Sequence, residues 1–253
     1  MAAERSRARE YKEELVMSLE KLCEALSDMK VVELGQYLEE NMPTHPTHSK
    51  FYKVRWHGIH LGDVCNDFQL ILNEHNGTHV DSFGHYIDKP GYEFIDQVPL
   101  AKICGPAVTV DATFLKDRET IEKEHLLAWE EQHGPIRKGD AVLFDFGWMK
   151  YWDVRPNESR FCHDYPGVGA SAAQYLLEKG VRMVGVDTLG VDKDGADNDP
   201  AHHILLSNKI PIVENLRNLD KLHEVRGYFV ALPLLIRDGS ASPVRPVMLV
   251  DGK

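Results

Sequence analysis

Short β-rich runs dominate the chain after Lys30, and their order restricts the folds open to it. VVELGQYL, KVRWHGIHL, FQLILNEH, PAVTVDAT, AVLFDFGW, VRMVGVDT, IPIVENL, YFVALPLLI and RPVMLVD all read as strands. Helical patterns lie between some of them, at about 119–133, 171–179 and 201–208. Rossmann sheets and TIM barrels require strands and helices to alternate more strictly than this. The expected fold is α/β, a single domain over residues 31–253 with a central mixed β-sheet flanked by helices. FQLILNEH reads as a buried strand delivering His75 at its end, and IRKGDAVLF reads as a Lys-Gly-Asp turn feeding another. The Asp/Gly-rich DKDGADNDP (192–200) is the loop most suited to function. Before the first strand, residues 9–29 read as an amphipathic helix within an N-terminal helical extension, residues 1–30. Its seam is Leu15, Leu19, Leu22, Leu26 and Met29, suited to packing on its own domain or on a second subunit.

Composition narrows the function classes. With 253 residues the chain is long enough for a substantial core, and its 43% apolar and 27% charged residues are ordinary for a soluble protein. No apolar run approaches a membrane span, and MAAERSRAREYKEEL lacks a signal core, so a cytoplasmic location is expected. The net charge of −11, without a Lys/Arg stripe, argues against nucleic acid as a partner. Cys23, Cys65, Cys104 and Cys162 form no CxxC pair, which leaves any metal to His, Asp and Glu.

HNGTHVDSFGH (75–85) supplies such residues. His75, His79, Asp81 and His85 all carry odd numbers, so an extended backbone would place them on one face. Gly77, Thr78 and Val80 disfavour a helix, and Asn76 stands where an HExxH helix needs Glu. Two histidines and an aspartate leave coordination positions open, an arrangement of catalytic type that suits Zn²⁺, Mn²⁺ or Fe²⁺. The competing reading is a polar loop of hydrogen-bonded histidines. Further along, in PAHHILLSNKIPIVENL (200–216), His202 opens a short helix. Glu214 follows the apolar IPIV and is either a metal ligand or a salt-bridged strand end.

Together these segments resemble the cyclase family of metal-dependent hydrolases, which includes bacterial kynurenine formamidase and isatin hydrolase. HNGTHVDSFGH is similar to the family signature HxGTHxDxPxH. VVELGQYLEENMP, CGPAVTVD, GDAVLFDFGW, VRMVGVDT, AHHILLSNKIPIVENL and LPLLIRDGSASPVRPVML resemble its other blocks, over most of residues 31–251. The resemblance implies the swivelling β/β/α fold of that family. It implies that His75, His79 and Asp81 bind metal, with His202 and Glu214 completing a second position. It also implies that His85 is the catalytic acid/base and that the substrate is an aryl or cyclic amide. The chain departs from the family at Ser82-Phe83-Gly84, where Ala-Pro is usual, and at Gly190, where many members have Ser. Both places are expected near the substrate pocket, with Phe83 and Trp148 as substrate-binding aromatics or, alternatively, core residues.

The expected chemistry is hydrolysis of a small carbonyl compound, with divalent Zn²⁺ or Mn²⁺, as one or two ions, activating water. Ester, lactone or carbamate hydrolysis on the same site is the alternative chemistry. A non-catalytic metal- or small-ligand-binding protein is the alternative of a different class, and Cys104 as a metal-free nucleophile is a third reading. The resemblance further implies a homodimer or homotetramer with sites near subunit contacts; a small-molecule substrate is the other expected partner, and no membrane is.

Overall fold

A computed structural model describes residues 19–252. Its frame is a nine-stranded mixed sheet. The central strands β5 (Cys104–Asp111), β7 (Ala141–Asp145), β9 (Met183–Val186) and β10 (Ile212–Glu214) run parallel. On one side follow β11 (Arg226–Val230), β13 (Val247–Asp251) and β1 (Met29–Glu33), all antiparallel. On the other lie the short antiparallel strands β4 (His79–Asp81) and β12 (Ala241–Pro243). The remaining strands pair off alone: β2 (Tyr52–His57) with β3 (Asp67–Ile71), and β6 (Thr120–Ile121) with β8 (Gly167–Val168).

The central runs are continuously apolar because both faces are buried. Val108, Val110, Val142, Phe144, Val184 and Val186 face one core, shared with helices Lys123–His133, Ala170–Lys179 and Pro200–Ser207. Their alternates Ala107, Leu143 and Met183 face a second core with Val80, Val213, Phe229 and Met248. Gly185 is required by this second layer: a Cβ there would lie 2.7 Å from Leu143 and 2.8 Å from Leu216.

Three expectations change. FQLILNEH yields β3, but every residue of that strand is exposed, because among the described residues β3 pairs only with β2 and no layer covers the hairpin. His75 therefore comes from a turn rather than from the end of a buried strand. The N-terminal helix is described only over 19–27, residues 9–18 lying outside the described residues. Met29, expected on its seam, instead opens β1 opposite Asp251. Leu19, Leu22 and Leu26 are exposed, so this part of the seam is not packed into the domain. Among the described residues, no helix is long and apolar enough to cross a membrane.

Candidate metal centre

The two clusters read from the sequence meet because β4 pairs with β10. Glu214 lies opposite His79, and Val213 opposite Val80. Within β4, His79 and Asp81 share a face, as alternation requires. His75 and His85 arrive differently. Gly77, at φ +65°, breaks the extended chain between His75 and His79; a Cβ there would also meet Leu38 at 2.7 Å. After Asp81 the chain turns into a short 3-10 helix, Phe83–His85. The four residues converge, but only two do so by strand periodicity.

His75, His79 and Asp81 form one group with ligating atoms within 4.8 Å of one another, and Asp81, His202 and Glu214 form another. Asp81 is common to both. His75 Nδ1 and His79 Nε2 stand 2.9 and 3.4 Å from Asp81 Oδ1, and His202 Nε2 stands 3.9 Å from Oδ2. Glu214 reaches His79 Nε2 at 3.4 Å and His202 Nε2 at 3.2 Å.

Both Asp81 oxygens and His79 Nε2 are buried without a hydrogen-bond partner. Orphaned buried polar atoms are costly unless something satisfies them. The donor set, three imidazoles and two carboxylates, fits a divalent cation. The electrostatics agree. Burial alone would lower His79 and His202, but neighbouring carboxylates overcome it and hold both at about 10: Asp81 and Glu214 for His79, Asp192 and Glu214 for His202. Burial would likewise raise Asp81, yet His79 and His75 hold it well below the usual carboxylate range.

Each histidine has its second nitrogen fixed, which aims the first at the centre. His79 Nδ1 is 2.9 Å from the Gly77 carbonyl, which also accepts Asn215 Nδ2. His202 Nδ1 is 2.7 Å from Asp192, whose carboxylate also accepts the Ala201 and His202 N–H groups at the start of helix Pro200–Ser207. His75 Nε2 is 3.2 Å from Ser240 Oγ, which donates to Glu74. Sequence reasoning found none of these supports. Asp192 lay in the loop singled out as functional, but nothing marked which of its acidic residues would support His202.

A cavity of about 320 Å³ opens onto the centre. His85 lines it without belonging to either ligand group. Its ring lies 4.1 Å from that of His75, centre to centre, and 6.3 Å from that of His202. Burial pushes the His85 imidazole down to about 4, so it is neutral near pH 7 and able to accept a proton. Tyr86 stacks on His202 at 4.5 Å and donates to Asp199. His45 and His48 also line the cavity, the His48 ring 5.1 Å from His75. No pattern in the sequence linked that pair to the site.

A family model described as "Putative cyclase" matches residues 32–193. The chain belongs to this family. Among curated relatives it is 31% identical to a kynurenine formamidase of Bacillus thuringiensis (strain Al Hakam), over 86% of this chain and 96% of the relative. An isatin hydrolase bound to the product analogue thioisatinate superposes with a TM-score of 0.84 at 26% identity, covering 93% of this chain and 98% of the other. Isatin hydrolase A from Ralstonia solanacearum gives 0.82 at 28%, covering 92% and 97%.

Within this cyclase frame, two expected pocket residues are relocated. Phe83 is 1% exposed and belongs to the second core. Trp148 is 3% exposed, with its indole N–H donated to the Phe161 carbonyl. Neither lines the cavity. Ser82 is buried and donates to the Ser240 carbonyl, and Gly84 abuts Phe94. The Ser82-Phe83-Gly84 departure thus shapes the packing behind the site. Gly190, the other departure, does line the cavity, beside the Tyr165 hydroxyl. Cys104 starts β5, at the end of that strand away from the site, and is absent from the cavity wall.

Proposed function

We propose that this protein hydrolyses a small aryl or cyclic amide at the centre held by His75, His79, Asp81, His202 and Glu214. It is a hydrolase acting on a carbon–nitrogen bond outside peptides. The observation that carries this reading is the fully buried Asp81 carboxylate shared by two ligand groups beneath an open cavity. Kynurenine formamidase and isatin hydrolase relatives support an amide as substrate.

A divalent ion held there, Zn²⁺ or Mn²⁺, supplies Lewis acidity, making water more acidic and a carbonyl more electrophilic. The protein's own groups do the rest. Asp192, Ser240 and the Gly77 carbonyl fix the ligand imidazoles so that the site is assembled before substrate arrives. His85, neutral and facing the cavity, takes the proton from the attacking water and returns it to the leaving nitrogen.

The test is hydrolysis of formanilide and isatin by the metal-loaded protein, with carbamates, esters and lactones alongside. Preferential cleavage of the amides supports the reading; cleavage of esters alone, or of none, contradicts it. The assembly proposed is a homodimer or homotetramer. It is supported by apolar residues on the hairpin β2–β3, among them Val54, Trp56, Val64 and Leu70, all exposed in the single chain, and by Leu19, Leu22 and Leu26.

A further inference from the structure

The loop 192–200 forms one wall of the cavity, and its anchoring isolates a single cation. The Val168 N–H donates to the Val191 carbonyl at 2.7 Å, and the Asp194 N–H to the Tyr165 carbonyl at 3.0 Å. On one side of Lys193, the Asp192 carboxylate turns to His202 and the helix beginning at Pro200. On the other, the Asp194 carboxylate accepts the Asp164 N–H at 2.8 Å and Arg118 at 2.9 Å. Gly167 presses on the backbone between them: a Cβ there would lie 2.3 Å from the Lys193 nitrogen. The main chain at Lys193 is therefore pinned from three directions.

Lys193 lines the cavity and is the one lysine or arginine that does so among the described residues. It makes no ion pair among them. The acidic residues of the loop that line the cavity are already engaged: Asp192 with His202, Asp194 with Arg118, and Asp199 with the Tyr86 hydroxyl. Asp81 and Glu214 face the imidazoles of the centre. A half-buried lysine on a pinned backbone, in the wall of a cavity of about 320 Å³, favours an anionic group on the ligand.

We propose that Lys193 is a specificity-determining residue that pairs with a carboxylate on the substrate, so that this site prefers aryl amides carrying a carboxylate over neutral ones. This rests on the amide-hydrolase reading above. The Asp192 and Asp194 anchors do not involve the Lys193 side chain, so its replacement leaves the loop's supports in place.

The test compares the metal-loaded 253-residue chain with its Lys193→Met and Lys193→Arg variants. Two readouts are taken: kcat and KM on 2-formamidobenzoate and on formanilide, and calorimetric binding of 2-aminobenzoate. Lys193→Met should raise KM for 2-formamidobenzoate by about 10- to 100-fold with little change in kcat, the scale of one charged hydrogen bond. The preference for 2-formamidobenzoate over formanilide should fall by the same factor, 2-aminobenzoate binding should weaken in parallel, and Lys193→Arg should restore most of each. Equal losses on both amides, or unchanged 2-aminobenzoate binding, would overturn the proposal. If the unmodified protein hydrolyses neither of these amides nor isatin, the amide-hydrolase reading fails, while 2-aminobenzoate binding by the variants still decides the role of Lys193.

Discussion

Asp81 is the point where the two ligand groups meet, so its loss should be felt by both. Asp81→Ala should leave the protein unable to retain Zn²⁺ or Mn²⁺, read by elemental analysis after loading and desalting; full occupancy would remove Asp81 from the centre. His85 carries a different expectation, because it faces the cavity but belongs to neither group. His85→Ala should keep metal and lose roughly 10²–10⁴-fold in turnover, and near-normal turnover would end its assignment as proton carrier. Asp192→Asn should weaken metal retention by about 10- to 100-fold, measured by competition with a chelator, since it removes the charge that orients His202. His75, His79, Asp81 and His85 were legible as a cluster because four such residues fall within one short stretch, whereas the pairing of His202 and Glu214 with them, and the separate role of His85, came from the family resemblance. Their supports were not legible. Ser240 lies 165 positions from His75, and pairings that distant depend on strand order, which local pattern does not carry.

Elements show the same division. The strands of the sheet centre were readable as continuous apolar runs, and the structure buries them on both faces. The run FQLILNEH looks alike in composition, yet β3 is exposed. An apolar run reports a tendency to be covered, and the covering layer is set by the whole fold. Spacing gave a related half-success in HNGTHVDSFGH, where alternation places His79 and Asp81 but a left-handed glycine and a 3-10 turn place His75 and His85. The wall formed by loop 192–200 depends on β8, since Gly167 has room only for hydrogen where it meets Lys193 and Asp192. Gly167→Ala should therefore destabilise the protein by about 1–3 kcal/mol, read from urea unfolding; an unchanged midpoint would show that the loop yields freely.

At the scale of the molecule, the described residues leave apolar surface exposed on hairpin β2–β3 and on the described part of the N-terminal helix. If that helix contributes to assembly, a chain beginning at Val31 should elute as a smaller species than the full chain in size-exclusion chromatography; an unchanged species would take the helix out of the interface. The two-core architecture places the ligand groups at the edge of the parallel strands, where β10 meets β4, and leaves a cavity above them. Under the proposed function hydrolysis depends on a divalent ion held there, and the dependence can be measured directly. Formanilide hydrolysis should fall to background after EDTA treatment and desalting, and return on adding Zn²⁺ or Mn²⁺ in step with bound metal. Activity that survives complete removal of metal would contradict the account.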